Sequence, residues 1–376
     1  MITRPGARDV RPVRHGTITP GDGSWVIRAG QSGYTVIFLI AFIGVLTAAW
    51  LATSLGSTAV HIARERKTSA ALGLAKQALI GRATADSSLP GSLPCPDLKT
   101  QIAGTNVPDD GIADLFAGTN CPSYVGRLPW RTLGLPDLRD ADGERLWYAL
   151  SSNFRDFASA VIINDSTMGT LSVTGDAPAA NIAAIVFAAG APLAGQSRGG
   201  STDRNNVVNY LDGANAAGGP AFVSRSASSA FNDRLLFITV ADLMAVVEKR
   251  VAFEITTALN KYFLAHSVLP TAASAHDATC LHPGDPAMCL PTGATASGIL
   301  PRNLGPGTGW PGVTFPAWFD ANWRVSVGYA VAPECTVLPA CSSTTFSPLT
   351  DAGLFPPKVT LVVGTTIKLT VRAAAQ

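Results

Sequence analysis

Six cysteines are the residues of this 376-residue chain whose chemistry is easiest to constrain from the sequence. None of them belongs to a Cys-x-x-Cys pair, and the nearby histidines do not stand at the spacing of zinc ligands. Pairing each cysteine with its neighbour along the chain would close short loops, and unpaired thiols are the alternative. Persistent disulfides require an oxidising compartment, so this pattern favours an exported region. The expected disulfides are Cys95–Cys121, Cys280–Cys289 and Cys335–Cys341.

Two clusters of carboxylates raise the question of calcium, which binds several oxygen ligands. Asp140 and Asp142 fit two ligand positions of an EF-hand loop, but Leu138 and Ala149 occupy its first and last positions. We therefore interpret the clusters as solvated turn residues and predict no metal or other cofactor, with calcium at Asp140 and Asp142 as a weak alternative. The clusters are Asp109, Asp110 and Asp114, and Asp137, Asp140, Asp142 and Glu144.

The motifs of common enzyme classes are absent from the sequence. It contains no Gly-x-Ser-x-Gly nucleophile motif, no phosphate-loop lysine and no His-Glu-x-x-His pair. The glycine-rich stretch at 195–200 lacks the Lys-Ser/Thr pair of a phosphate-binding loop. We predict that the protein is not an enzyme. A net charge of only +2 also argues against nucleic acid as a partner.

The elements that position these residues begin with a long uncharged run at residues 34–55, after 33 mostly polar residues. Its 22 residues match the length of a transmembrane helix, so the sequence predicts a span there. Arginines precede the run, which favours a cytoplasmic N-terminus and exported cysteines. A cleaved secretory signal normally has a shorter apolar core that begins earlier. A plain membrane anchor would leave the polar preface unexplained.

The stretch Gly33-Tyr34-Thr35-Val36-Ile37 resembles the processing site of type IV prepilins and type II secretion pseudopilins. The resemblance implies that prepilin peptidase cleaves between Gly33 and Tyr34 and that Tyr34 becomes the N-methylated first residue. Thr35 and Phe38 would then belong to the helix through which subunits assemble. The family usually has Glu where this chain has Phe38, and tip subunits of pseudopili commonly lack that Glu. Phe38 therefore favours a minor subunit at the filament tip.

The remaining sequence predicts an α+β fold. Apolar spacing predicts helices over residues 34–82 and 240–266, and Leu-Pro, Gly-x-Leu-Pro and Tyr-Ala matches follow each of them in the same order. We interpret this order as an internal duplication of pilin-like units, each with a helix on an antiparallel sheet. In the gap-free alignment, Leu89-Pro90 corresponds to Leu269-Pro270. The predicted domains are a leader at 1–33, a long helix at 34–85, and pilin-like domains at 86–233 and 234–376.

These observations together predict a non-enzymatic minor subunit of a type IV pilus or a type II secretion pseudopilus. Its expected partners are other pilin or pseudopilin subunits, prepilin peptidase and the inner membrane. Its expected location is the inner membrane, with a cytoplasmic N-terminus and periplasmic C-terminal domains. The alternative is a single-span, membrane-anchored binding or adhesion protein that never enters a filament.

Overall fold

The computed structural model describes residues 34–98, 110–200, 203–266, 269–274, 297–302 and 315–331, together with strands at 344–345, 359–363 and 367–373. Within the chain, Met1–Ala59 and Val60–Gln376 form two compact units. Helix α1, Tyr34–Ala85, begins in the first unit and ends in the second. Helix α2 is Val240–His266, as the apolar spacing predicts.

The ends of both helices follow from local hydrogen bonds. Asp86 stops α1 because its carboxylate accepts the backbone N–H groups of Ser88 and Leu89, at 2.8 and 2.7 Å. At the start of α2, the Asp242 N–H donates to the Thr239 hydroxyl at 3.0 Å, and the Thr239 N–H donates to the Asp242 carboxylate at 3.4 Å. This reciprocal pair satisfies two N–H groups that a helix leaves free at its first turn. The arrangement is a capping box in which Asp242 takes the place of the usual Glu or Gln.

The predicted transmembrane span at 34–55 is wrong for the part of the chain that the structure describes. Among those residues, no helix is both long enough and apolar enough to cross a bilayer. The described side chains further along α1 include Arg64, Glu65, Arg66 and Lys67.

The first sheet contains six strands within the described residues, in the order β1-β2-β4-β3-β5, with β6 also paired to β4. Strands β3 and β5 run parallel, so the sheet is mixed and the predicted antiparallel sheet is wrong here. The parallel pair is possible because the chain between β3 and β5 is long enough for a crossover. The strands are β1 Val125–Arg127, β2 Trp147–Leu150, β3 Leu171–Gly175, β4 Ala179–Ala188, β5 Ala221–Ser224 and β6 Arg234–Thr239.

The second sheet has the order β7-β8-β10-β11-β9, and its described pairs are antiparallel. Short 3-10 helices at Ser152–Phe154, Val207–Asn209, Gly213–Ala217 and Arg324–Ser326 and a π-helical turn at Phe319–Trp323 connect strands. The strands are β7 Ser297–Ile299, β8 Val327–Val331, β9 Thr344–Thr345, β10 Val359–Val363 and β11 Ile367–Ala373.

Helix α2 joins the two sheets into one core. It contacts β4 and β6 of the first sheet and β9, β10 and β11 of the second. Its apolar stripe, including Leu243, Val247 and Ile255, is fully buried in a cluster with Tyr148 of β2 and Tyr329 of β8. The prediction of two units that each carry their own helix-on-sheet core is therefore corrected, because the sheets share one core. Strand β6, which lies beyond the predicted boundary at 233/234, pairs with β4 of the first sheet.

One local arrangement occurs in both sheets. Gly126 of β1 faces Tyr148 of β2, and Gly298 of β7 faces Tyr329 of β8, in the same antiparallel register. In each case the segment after the helix adds a bridge to the glycine strand, Asp97 to Arg127 and Ala273 to Ile299.

The two tyrosines also correct the alignment of the Leu-Pro motifs. The Tyr148 hydroxyl donates to the Pro94 carbonyl and the Tyr329 hydroxyl donates to the Pro270 carbonyl. Leu269-Pro270 therefore corresponds in position to Leu93-Pro94, four residues beyond the Leu89-Pro90 pair that the gap-free alignment selects.

Candidate functional site

The predicted processing site lies at the edge of the described residues. Gly33 lies outside them, and Tyr34 and Thr35 are the first two residues of α1. Phe38 follows within the helix with 73% of its surface exposed. The first turn of α1 contains no acidic residue.

Among the side chains that the structure describes, exposed apolar residues extend along α1 from Phe38 to Trp50, and we call residues 38–50 the apolar segment. The described large side chains in it are exposed by between 50% at Ile43 and 73% at Phe38. Phe38, Leu39 and Ile40 are consecutive, and so are Phe42 and Ile43, so the exposed apolar surface surrounds the helix and does not form one stripe. The exposed set is Phe38, Leu39, Ile40, Phe42, Ile43, Val45, Leu46 and Trp50.

Cys95 and Cys121 form a disulfide, as adjacent pairing predicts. Both residues are buried in the shared core, and the bond links the segment after α1 to the chain before β1. Cys280, Cys289, Cys335 and Cys341 lie outside the described residues.

The carboxylates that the sequence offers for calcium are occupied by N–H donors. Asp140 accepts backbone N–H groups from Asp142, Glu144 and Gly190, at 2.9, 2.9 and 3.0 Å, and burial raises its pKa. Asp142 forms an ion pair with Arg64. Oxygens that face N–H donors do not suit a cation, and no group of three His, Cys, Asp or Glu within the described ranges could hold a metal ion. Asp140 therefore positions backbone in this structure.

Two buried carboxylates, Asp212 and Asp233, are not predicted from the sequence. Asp233 Oδ2 accepts the Asp212 N–H at 2.8 Å, and Asp212 Oδ2 accepts the Asp233 N–H at 3.3 Å. Each side chain thus binds the other residue's backbone, while Asp233 Oδ1 is buried without a hydrogen-bond partner. Burial raises the pKa of Asp233 to about 7. The two aspartates lie 21 residues apart, so no local spacing announces the pair.

A basic cavity of about 270 Å³ is the second feature that is not predicted from the sequence. We call it the arginine cavity; its lining residues are Arg127, Arg139, Glu144, Arg145, Arg204 and Tyr210. Strand β1 supplies Arg127, and a loop between β1 and β2 supplies Arg139, Glu144 and Arg145. The remaining two residues come from the region between β4 and β5. Because these regions lie far apart in the chain, only the folded sheet brings them together.

Arg127 lines the arginine cavity and is 3% exposed. Its guanidinium carbon lies 4.4 Å from the ring centre of Trp147 and 4.0 Å from that of Tyr210. Its Nη1 and Nη2 donate to the carbonyls of Arg145 and Arg204, at 3.1 and 2.7 Å. Two aromatic faces and two carbonyls therefore hold the guanidinium in place.

The described residues define a two-sheet α+β protein with a long N-terminal helix, an exposed apolar segment and a basic cavity beside the first sheet. Compared with known proteins, the chain matches no family model, no curated protein sequence and no solved structure. The apolar segment and the arginine cavity are therefore judged on their own geometry and chemistry.

Proposed function

We propose that this protein is a non-enzymatic, exported, pilin-like subunit that enters a filament of a pilus or secretion pseudopilus through the apolar segment of α1. The observation that carries the proposal is the exposure of this segment on every side of the helix. A helix that is apolar all round is stable in water only when it is surrounded, whereas a one-sided stripe would indicate packing on a single surface.

The proposed neighbours are the N-terminal helices of other pilin-like subunits. Helices of this kind pack through side-chain interdigitation, for which the large residues of the segment supply surface. The prepilin-like stretch from Gly33 to Ile37 lies directly before the segment, which supports a cleavage that places the segment at the new N-terminus. The Cys95–Cys121 disulfide supports an oxidising location for the two-sheet unit.

A tip position is the proposed consequence of Phe38. A carboxylate among apolar helices is costly unless a partner neutralises it, so a subunit needs one only where a neighbour offers an amine. With Phe38 at this position, the apolar segment carries no carboxylate that a neighbouring amine must neutralise. A subunit with nothing stacked above it is the one that tolerates this change.

The proposal is tested by cross-linking in cells that make the full chain, with mass spectrometry of both the captured partners and this chain's N-terminus. We expect a chain that begins at Tyr34 and partners that carry prepilin-type N-termini. Ile40→Glu should reduce this capture at least tenfold, because it buries an unpaired charge between helices. Ile62→Glu is the matched control on the same helix, since Ile62 is 44% exposed and lies near Arg64 and Arg66.

Two results would count against the proposal. A chain that keeps Met1 contradicts the processing, and equal capture by Ile40→Glu and the unaltered chain contradicts assembly through the apolar segment.

A further inference from the structure

A short 3-10 helix, Gly213–Ala217, lies along the edge of β5 that β3 does not occupy, and we call it the edge helix. The Val223 N–H of β5 donates to Asn215 Oδ1 at 2.8 Å, and Asn215 Nδ2 donates to the Val223 carbonyl at 3.1 Å. Asn215 is fully buried. This one side chain therefore satisfies backbone groups that the edge of a sheet otherwise leaves unpaired.

The Asp233 carboxyl group, directly before β6, fixes the position of the edge helix. Its Oδ2 accepts Asn215 Nδ2 at 2.9 Å and the backbone N–H of Asp212 at 2.8 Å. Asp212 is the residue directly before the edge helix. Asp233 therefore binds both the start of the edge helix and the side chain through which that helix covers β5.

The surroundings of Asp233 favour its neutral form. Asp233 is 4% exposed, and its Oδ1 is buried without a hydrogen-bond partner among the described residues. The Asp212 carboxylate, in contrast, accepts N–H donors on both oxygens, from Gln196 at 2.9 Å and from Asn232 at 2.7 Å. A charge on Asp233 would be added beside this stabilised anion with no donor for one of its own oxygens. Burial and, to a smaller extent, the charge of Asp212 oppose its ionisation.

The other charged groups around Asp233 come from the neighbouring loops and strands. Arg198 favours ionisation, but this arginine also lies 3.3 Å from Glu144. Burial outweighs Arg198, so the pKa of Asp233 rises to about 7. Asp233 also lines a second cavity, of about 340 Å³, whose other charged side chains are Asp176, Arg225 and Arg234. Arg234 pairs with Glu65.

Glycines at both ends of the edge helix provide a hinge. Gly213 and Gly218 have φ angles of 52° and 78°, which glycine adopts without the steric cost that other residues incur. No atom lies within 4 Å of the position that a Cβ would take at either glycine. Rotation at these two positions moves Asn215 away from Val223 and leaves the pairing of β3 with β5 in place.

We propose that the edge helix is a pH-dependent cover of the β5 edge, held closed in acid by the protonated carboxyl group of Asp233 and opening more often as the pH rises. Opening brings Asp233 into water and frees the N–H and carbonyl groups of Val223. The proposal concerns the two-sheet unit and does not depend on assembly through the apolar segment.

The direction of the pH effect follows from proton binding. In the open form Asp233 reaches water and has its ordinary pKa of 3.8, so the closed form binds the proton more tightly. The closed form is therefore favoured most below about pH 4, and it loses this advantage progressively as the pH rises to about 7.

The test is hydrogen–deuterium exchange of the purified full chain, measured by mass spectrometry with residue-level fragmentation and corrected for the intrinsic pH dependence of exchange. The protection factor of the Val223 amide should fall about tenfold between about pH 5 and pH 7.5. At every pH it should stay below that of the β4 amides at 184–187, which lie between β2 and β6. This difference distinguishes local opening from unfolding of the whole sheet.

Asp233→Asn should hold the Val223 protection factor constant over the same pH range. The Asn side chain does not ionise, and its carbonyl oxygen still accepts the two N–H groups. Asp176→Asn is the matched control, because it removes a carboxylate that lines the same cavity and accepts the Ser226 hydroxyl. The control should show the same fall as the unaltered chain.

Three results would overturn the proposal. The first is a Val223 protection factor that does not change with pH in the unaltered chain, which decides the matter even if Asp233→Asn fails to fold. The second is a fall that persists in a folded Asp233→Asn variant. The third is equal protection of Val223 and the β4 amides at every pH, because the edge helix then opens only when the whole sheet unfolds.

Discussion

The two glycine–tyrosine strand pairs, one in each sheet, share one arrangement but differ in how closely the neighbouring backbone approaches the glycine. In both, a glycine lets the segment after a helix approach the first strand of the pair, and two backbone hydrogen bonds close the bridge. A methyl group at Gly298 would stand 2.0 Å from the Ala273 carbonyl oxygen, but at Gly126 its nearest neighbour would be the Pro96 Cβ at 2.9 Å. The second pair is therefore the tighter one.

The hydrogen bonds of the two tyrosines differ in the same direction, because the bond in the second pair is shorter. The Tyr329 hydroxyl lies 2.8 Å from the Pro270 carbonyl oxygen, whereas the Tyr148 hydroxyl lies 3.3 Å from that of Pro94. The looser first pair has the Cys95–Cys121 disulfide beside it, and this bond holds the same segment covalently. Close backbone approach and a covalent link are thus two ways of holding a chain segment against a sheet edge.

The largest expected effect comes from filling the glycine positions. Gly298→Ala should destabilise the fold by about 3 kcal/mol, because the methyl group meets backbone that cannot move without losing the Ala273–Ile299 hydrogen bonds. Gly126→Ala should cost about 1 kcal/mol, since its nearest contacts, with the Pro96 Cβ at 2.9 Å and the Asp97 carbonyl oxygen at 3.1 Å, require a smaller displacement.

Urea unfolding followed by circular dichroism measures both changes. Gly199→Ala is the control, because no atom lies within 4 Å of the added methyl group. An equal loss at Gly126 and Gly298 would remove the asymmetry between the two pairs.

A second expected effect is a pH dependence of folding stability that arises beside the first sheet. Asp233, next to β6 of the first sheet, has a folded-state pKa of about 7, above the ordinary 3.8. The folded state therefore binds this proton more strongly than the unfolded state does. The resulting stability is fully present below about pH 4 and is lost progressively as the pH rises to about 7. The acid described beside the second sheet, Asp320, pairs with Arg324 and Arg302.

Asp233→Asn should flatten this part of the stability profile. The charged groups around Asp233 are Asp212, which opposes its ionisation, and Arg198, which favours it; both remain in the variant. Asp176→Asn is the control, because it removes an exposed carboxylate bonded to Ser226 near the same strands. Urea unfolding at half-unit steps from pH 4 to 8 measures the slope. If Asp233→Asn leaves the slope of stability against pH unchanged, that pH dependence arises from other groups.

The sequence is informative where a signal is local and less so where folding joins distant segments. Helix α2, its capping box and its buried stripe could be predicted because their periods and partners lie within a few residues. The Cys95–Cys121 bond could be predicted because it closes a short interval of 26 residues. The parallel pairing of β3 with β5, the arginine cavity and the Asp212–Asp233 pair depend on crossovers that no local pattern encodes.

The Leu-Pro motifs illustrate the same limit within one stretch of chain. Leu89-Pro90 and Leu93-Pro94 are equally good matches in letters, and both leucines are fully buried. Only the hydrogen bond from Tyr148 to Pro94 shows which of them stands in the position of Leu269-Pro270. A repeated dipeptide therefore fixes the order of elements but not their register.

The smallest expected effect removes the tyrosine hydroxyls. Tyr329→Phe leaves the Pro270 carbonyl buried without its donor and should cost about 1.5 kcal/mol. Tyr148→Phe should cost about 0.5 kcal/mol, because its bond to Pro94 is longer and therefore weaker. Both phenyl rings keep the packing of the originals, so the difference isolates the hydrogen bonds. Urea unfolding of the two variants under identical conditions measures it, and a larger loss for Tyr148→Phe would show that the first pair depends on its tyrosine more than on its disulfide.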